Sequence, residues 1–210
     1  GLVGTNTPLN SNSQPLNISQ MALSIRNHGI ADAIGPVTLY SLSIGSDSGF
    51  FARSLTSLDI STLGDVLVAT NGTLMADAMG YSPGNNQPIG FGFGNVDFAG
   101  DGSGGGYGGA GGASFYGASG GGTYGSSNQP VDFGSPGGMV PEIVGFSQGG
   151  GAIRLAVGGI LTVNGNVSAN GADGFVDGAG GGSGGSIWIT AGKILGNGFL
   201  TANGGFGESF

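Results

Sequence analysis

Two stretches decide the fold of this chain: Ile153 to Gly171, IRLAVGGILTVNGNVSANG, and Ile187 to Gly205, IWITAGKILGNGFLTANGG. Each begins with alternating apolar and polar residues, continues through an Asn-Gly pair and ends with a second short alternation. A period of two is typical of a strand with one buried face. Asn-Gly favours a tight turn because both residues tolerate positive φ. Each stretch therefore predicts a strand, a turn and a second strand.

Two weaker copies of this pattern precede them, LNISQMALSIRNHGIADAIG at 16–35 and LDISTLGDVLVATNGTLMADAMG at 58–80. A unit of about 20 residues cannot bury its apolar face alone, whereas stacked units form a continuous core. We expect Leu58, Ile153 and Ile187 to lie directly over one another. The sequence therefore predicts an all-β fold, a right-handed parallel β-helix (solenoid), with a β-sandwich as the alternative.

Glycine is concentrated in the second part of the chain, which holds 41 of the 51 glycines after residue 88. In the tract 100–125 many of them lie three residues apart, a spacing that suits extended chains packed side by side. The tract is therefore predicted to be either an ordered, polyglycine-II-like insertion or a mobile loop. We predict N-terminal solenoid coils at 1–88, a glycine- and aromatic-rich insertion at 89–148 and C-terminal coils at 149–210. The residues in phase are Gly102, Gly105, Gly108, Gly111, Ser114, Gly117 and Gly120.

The composition excludes several classes of function. The chain has four Lys and Arg residues, far apart in sequence, and a net charge of −8, so we expect no binding to nucleic acid or to anionic lipid. The absence of cysteine excludes disulfides and thiolate chemistry. Apolar runs stay below the roughly 18 residues of a membrane span, which predicts no membrane insertion. Because the chain begins at Gly1 without Met or a signal peptide, we expect a processed product or a piece of a longer protein.

The segments GGGAIRLAVGGILTVNGNVSANG (149–171) and GGGSGGSIWITAGKILGNGFLTANGG (180–205) carry a resemblance to a known group. They resemble the glycine-rich repeats of large bacterial and microbial-eukaryote surface proteins. More broadly, the chain is similar to filamentous-haemagglutinin-like and autotransporter-passenger β-helices. The resemblance implies a right-handed parallel β-helix, a surface location, and adhesion or fibre building. It implies no particular binding residues.

Aromatic residues are the candidate binding residues. Trp188 falls on the outward phase of its predicted strand, and Tyr107, Tyr116 and Tyr124 lie in the glycine tract. Aromatic rings on a flat surface stack on sugars or pack against another subunit. The alternative is that these rings fill the space between glycine layers and the strands.

Polar chemistry gives weaker candidates. The only histidine, His28, falls in an Asn-His-Gly turn signal, so we predict no catalytic residues and no enzyme activity. Asp32 and Asp77 occupy equivalent positions at the ends of the first two copies, where the other two copies have Asn170 and Asn203. They would form a surface ladder that caps successive coils; a pair of catalytic carboxylates is the alternative. Asp173 and Asp177 form a weak Ca²⁺ candidate, and no cofactor is expected.

Together these observations predict an extracellular or cell-surface structural protein, a subunit or segment of a fibre or filament that associates with itself. The chain shows no polar or proline cap at either terminus, which favours stacking against another copy or further chain on each side. An adhesin that grips glycans through its aromatic glycine-rich loops is the alternative. An enzyme acting on polysaccharides ranks third, and ice binding ranks last because no Thr-x-Thr ladder is present.

Overall fold

The computed structural model describes residues 16–82, 90–138, 147–175 and 178–207. Over these residues the chain forms eleven strands and no helix. It divides into two compact units, each assembled from three segments. The first unit comprises Gly1–Met75, Ile153–Ser168 and Ile187–Thr201, and the second comprises Ala76–Ala152, Ala169–Ser186 and Ala202–Phe210. The sequence-based division into three consecutive parts, 1–88, 89–148 and 149–210, stays a prediction.

The first unit holds two parallel sheets. The first sheet has the order β1-β3-β5-β8-β10, and the short strand β6 pairs with both β3 and β8. Because β5 also pairs with β3 and β8, these four strands form a partial ring of pairings. The strands of this sheet are β1 (Leu16–Ile25), β3 (Val37–Ile44), β5 (Leu58–Thr62), β6 (Val66–Val68), β8 (Ala152–Val163) and β10 (Ser186–Leu195).

The second sheet is built from three-residue strands in the order β11-β9-β7-β4-β2. Its registers align one row of side chains across all five strands: Ala31, Phe50, Leu74, Val167 and Leu200. Phe50, Leu74 and Val167 in the middle of this row are fully buried. The strands are β2 (Ile30–Asp32), β4 (Gly49–Phe51), β7 (Thr73–Met75), β9 (Asn166–Ser168) and β11 (Phe199–Thr201).

The core follows the period of two that the sequence shows. In β8 the side chains of Ile153, Leu155 and Val157 are buried, while Arg154 and Ala156 between them are partly exposed. Leu58 of β5 lies opposite Ile153 of β8, and both are buried. Aligned apolar residues on neighbouring strands therefore form the core, where burial of apolar surface contributes about 25 cal/mol per Å².

The second unit contains the glycine tract, which is held by backbone hydrogen bonds between segments distant in sequence. Gly134 N–H donates to the Gly150 carbonyl (2.8 Å), Gly150 N–H to the Ser183 carbonyl (2.8 Å), and Ser183 N–H to the Ser135 carbonyl (2.9 Å). Three segments thus bond to one another in a closed triangle, which strands lying in a single sheet cannot do. The bonds satisfy backbone groups that would otherwise be buried without a partner.

A second triangle lies within the glycine tract 100–125. Gly104 N–H donates to the Gly112 carbonyl (2.8 Å), Gly111 N–H to the Gly121 carbonyl (2.9 Å), and Gly121 N–H to the Gly104 carbonyl (2.9 Å). The spacing of three residues is only partly reflected in the packing. A Cβ atom at Gly102, Gly105, Gly111 or Gly120 would collide with a carbonyl of another segment, whereas one at Gly108 or Gly117 would meet no atom within 4 Å.

These findings correct the fold prediction. The structure is all-β, as predicted, but it does not show the right-handed parallel β-helix. The strands belong to two parallel sheets within one unit, β5 and β6 of the first sheet pair with successive parts of the same two strands, β3 and β8, and the second unit is built on bonded glycine segments. The prediction was wrong because alternation and Asn-Gly turns specify strands and turns, but not how successive strands are arranged around the core.

Candidate functional site

The terminal strands of the two sheets form one candidate site. Within the described residues, β10 pairs only with β8, and β11 pairs only with β9. Both strands therefore have one side on which backbone N–H and C=O groups face no neighbouring strand. Such an edge is a template on which another strand can pair.

Apolar side chains on these two strands are exposed. In the aligned row of the second sheet, Leu200 follows the fully buried Val167, yet 49% of its surface is accessible. Its neighbour Phe199 is 69% exposed, and Ile194 and Leu195 of β10 are also exposed. Large apolar side chains exposed together on strand edges are typical of interaction sites. We call the exposed edge of β10 and β11 the C-terminal edge.

The opposite edge of the second sheet also carries an exposed apolar side chain, Ile30. The row next to the core row runs through Ile30, Gly49, Thr73, Asn166 and Phe199. Its three inner members are small or polar, whereas its two terminal members are large and apolar, with Ile30 53% and Phe199 69% exposed. Large apolar side chains are thus confined to the two free edges of this row. Among the residues that the structure describes, β1 pairs only with β3 and β2 only with β4. We call this edge of β1 and β2 the N-terminal edge.

The polar residues at the ends of the sequence copies form a ladder within the second unit. The Asp77 carboxylate accepts a hydrogen bond from Asn170 N–H (2.7 Å), and the Asn170 side-chain oxygen accepts one from Asn203 N–H (2.8 Å). This is the capping arrangement predicted for Asp77. Asp32 instead pairs with Arg53, whose Nε lies 2.5 Å from the Asp32 Oδ2.

Trp188, a predicted binding residue, lies partly exposed on β10. The guanidinium carbon of Arg154 lies 5.2 Å from the centre of its ring. Arg154 in turn forms an ion pair with Asp59, with 2.8 Å between Nη1 and Oδ1. The ring therefore has a cation as neighbour within its own sheet.

Tyr107 and Tyr124 are packed against each other, with ring centres 4.9 Å apart. Tyr107 is buried, and desolvation raises the pKa of its hydroxyl. Tyr124 is partly buried; its hydroxyl donates to the Phe133 carbonyl and lies 2.9 Å from the Ser135 hydroxyl. Desolvation, assisted by nearby Tyr and Asp residues, raises the pKa of Tyr124 to about 12. These two rings are part of the packing of the glycine unit rather than a free binding surface.

The raised pKa of Tyr124 predicts a loss of stability in alkali. Its ordinary pKa is 10.0 and its folded value is about 12, so its contribution to stability is complete below pH 10 and is lost as the pH rises through 12. We expect tyrosinate absorbance to show a step near pH 12 that Tyr124→Phe removes. Tyr116→Phe, which changes an exposed ring, is the control and should leave that step in place. A step that survives in Tyr124→Phe would contradict the assignment.

Tyr116, the fourth predicted aromatic residue, belongs to an exposed group of rings. Its ring centre lies 5.1 Å from that of Phe98 and 4.9 Å from that of Phe115. Phe98 and Phe115 are 87% and 86% exposed. We call Phe98, Phe115 and Tyr116 the aromatic cluster. The predicted site residues thus do not converge, because Tyr107 and Tyr124 are packed inside while Tyr116 is outside with two phenylalanines.

Of the weak Ca²⁺ candidate, Asp173 and Asp177, the structure describes only Asp173. Asp173 is exposed and its Oδ1 accepts a hydrogen bond from Phe206 N–H at 2.8 Å, while Asp177 lies outside the described residues. In the ranges that the structure describes, no three His, Cys, Asp or Glu side chains are grouped so as to hold a metal ion. His28 is exposed in a turn with φ 57°.

A half-open depression of about 300 Å³ lies in the second unit, lined by Tyr107, Ser183, Ala202 and several glycines. Its walls are mainly glycine backbone, which offers amide and carbonyl groups but no acid or base. Across the described part of the chain, no helix has the length and apolar character needed to cross a membrane.

Comparison with protein-family models, with curated proteins and with solved structures found nothing that matches this chain.

Proposed function

We propose that this protein is an extracellular or cell-surface structural subunit that associates with further copies of itself, head to tail, into a filament or surface layer. The C-terminal edge of one copy would pair with the N-terminal edge of the next. A contact between two different surfaces of the same protein adds copies head to tail. Unless the rotation between neighbouring copies closes a ring, the result is an extended assembly.

The observation that carries the proposal is the row from Ile30 to Phe199. If a second copy continued the second sheet in parallel, its Ile30 would lie beside Phe199, and its Ala31 beside Leu200. Two exposed apolar residues would then cover each other, and the large Leu200 would meet a small partner. Every pairing within this sheet is parallel, so the added copy would repeat an arrangement that the chain already uses.

The charge on the C-terminal edge is compatible with this contact. Lys193 is the only charged residue on β10 and β11. Natural edge strands are commonly protected by several charges, proline or a covering segment. A single lysine among Ile194, Leu195, Phe199 and Leu200 gives little such protection. The edge is therefore better suited to pairing than to permanent exposure.

The location rests on different support. Charged residues make up only 8% of the chain and cysteine is absent. The repeat segments resemble those of microbial surface proteins, and a fold without disulfides leans towards a bacterial surface rather than a secreted eukaryotic domain. A structural role requires no catalytic group.

Leu200→Glu tests the role of the C-terminal edge. A carboxylate placed in an apolar contact must be desolvated without a partner, so we expect association to weaken at least about tenfold. Sedimentation velocity over a range of protein concentrations measures this. Leu63→Glu, at another exposed leucine of the same unit, is the matched control and should assemble like the unchanged protein. Equal assembly of both variants would rule out this edge, and a monomer at all concentrations for the unchanged protein would rule out the function.

A further inference from the structure

The aromatic cluster is presented on two turns that a single carboxylate holds together. Asp97 Oδ1 accepts hydrogen bonds from the N–H groups of Ala99 (2.9 Å) and Asp101 (3.0 Å). Its Oδ2 accepts bonds from the Ser114 hydroxyl (2.6 Å) and from Tyr116 N–H (3.2 Å). The turn carrying Phe98 is thus fixed to the turn carrying Phe115 and Tyr116.

The same contacts keep Asp97 ionised. Desolvation on its own would raise its pKa, but the bonds from Ser114, Asp101, Ala99 and Tyr116 together lower the pKa below its ordinary value of 3.8. Hydrogen bonds to an ionised acceptor are stronger than those between neutral groups. The backbone of the two turns that present the three rings is therefore fixed before any ligand arrives, which reduces the ordering cost of binding.

The size and charge of the surface restrict what can cover it. Three aromatic side chains bury about 150–250 Å² each, which is less in total than the roughly 800 Å² per partner of a stable protein interface. The four Lys and Arg residues are Arg26, Arg53, Arg154 and Lys193, so the range 90–138 has no cation to attract a phosphate or sulfate group. A small neutral unit with an apolar face fits these limits.

We propose that the aromatic cluster binds a neutral polysaccharide by stacking the C–H faces of its sugar rings on Phe98, Phe115 and Tyr116. Hydrogen-bonding groups lie three residues away in sequence, Asn95 from Phe98 and Ser119 from Tyr116: the exposed Asn95 donates to the Ser119 carbonyl at 2.8 Å, and both residues offer further polar atoms to sugar hydroxyls. A chain of repeating sugars would compensate for the small contact area by engaging several copies at once. This goes beyond self-association, because the surface lies in the second unit and uses none of the strand edges.

The test is electrophoresis in native gels that contain dextran, mannan, galactan or β-glucan, with Leu200→Glu as the background so that assembly does not alter migration. We expect at least one polysaccharide to retard the protein. Phe98→Ala combined with Phe115→Ala should weaken binding about tenfold or more, as for aromatic residues central to a contact. Phe206→Ala, at another exposed phenylalanine of the second unit, is the matched control and should bind normally, as should Tyr116→Phe, which keeps the ring.

Each alternative result overturns the proposal. Migration unaffected by all four polysaccharides excludes the neutral glycan, and so does retardation that is equal in the double variant and in Phe206→Ala. Binding to phosphatidylcholine vesicles through the same rings, without retention by any polysaccharide, would assign the cluster to a lipid surface instead. None of these outcomes bears on self-association, which is measured separately.

Discussion

Gly150→Ala is expected to destabilise the glycine unit by about 3 kcal/mol or more. A Cβ atom at this position would lie against the Ala169 carbonyl oxygen and the Gly185 amide nitrogen, while the residue is bonded on two sides, to Gly134 and Ser183. Overpacking of a buried site costs about 1–3 kcal/mol when side chains can move aside. Here the obstacles are backbone groups that are themselves bonded, so the cost lies at or above that range.

The matched control is Gly112→Ala. A Cβ atom there would meet no atom within 4 Å, and the residue is exposed, so we expect a change within about 0.5 kcal/mol or a gain of up to about 1 kcal/mol from the stiffer unfolded chain. Urea unfolding of the two variants beside the unchanged protein measures both. Similar midpoints for Gly150→Ala and Gly112→Ala would show that close approach of glycine segments does not stabilise this unit.

Leu74→Ala is expected to cost the first unit about 2–5 kcal/mol, the range for deleting a fully buried leucine side chain. Leu74 lies between Phe50 and Val167 in the core row of the second sheet, and all three are fully buried. The short strands leave few neighbours able to move into the space. The cavity should therefore remain largely open.

Leu63→Ala is the control for this change, because Leu63 is exposed in the same unit and should cost less than about 0.5 kcal/mol. Thermal or urea unfolding followed by circular dichroism compares the two. If both leucines cost the same, the row through Leu74 would not be the core of the second sheet.

The sequence was informative where residues repeat with a short period. Alternation in IRLAV correctly assigned Ile153, Leu155 and Val157 to the buried face, because a strand places successive side chains on opposite faces. The equivalence of Asp77, Asn170 and Asn203 in the copies likewise anticipated their hydrogen-bonded ladder. In both cases the decisive contacts follow from local geometry.

The sequence was not informative where the decisive contact is a backbone hydrogen bond between segments that are far apart in the chain. Glycine carries no side chain, so nothing in the sequence says that Gly134, Gly150 and Ser183 bond to one another. For the same reason the three-residue phase did not distinguish Gly111, which is tightly approached, from Gly108, which is not. The solenoid prediction failed at this level, since turn chemistry does not determine the order in which segments meet.

The candidate sites were predicted only in part. Tyr107 and Tyr116 were predicted together as binding residues, but Tyr107 is buried and Tyr116 is exposed. Outside strands the sequence has no alternation of buried and exposed positions from which this difference could be predicted. The role of Asp97 was not predicted. An Asp three residues before Gly100 is a turn signal, because an Asp side chain can accept a hydrogen bond from the backbone N–H two residues later, here that of Ala99. Leu200 lies in the core row of the second sheet, but it is exposed because β11 is the last strand of that sheet among the described residues.

Mixing two edge variants tests the head-to-tail contact most directly. Leu200→Glu blocks the C-terminal edge, and Ile30→Glu blocks the N-terminal edge, so each variant alone should remain monomeric in sedimentation velocity. Mixed in equal amounts, they retain one intact edge of each kind and should form a one-to-one dimer that grows no further. Monomers in the mixture, or long assemblies from either variant alone, would contradict pairing between these two edges.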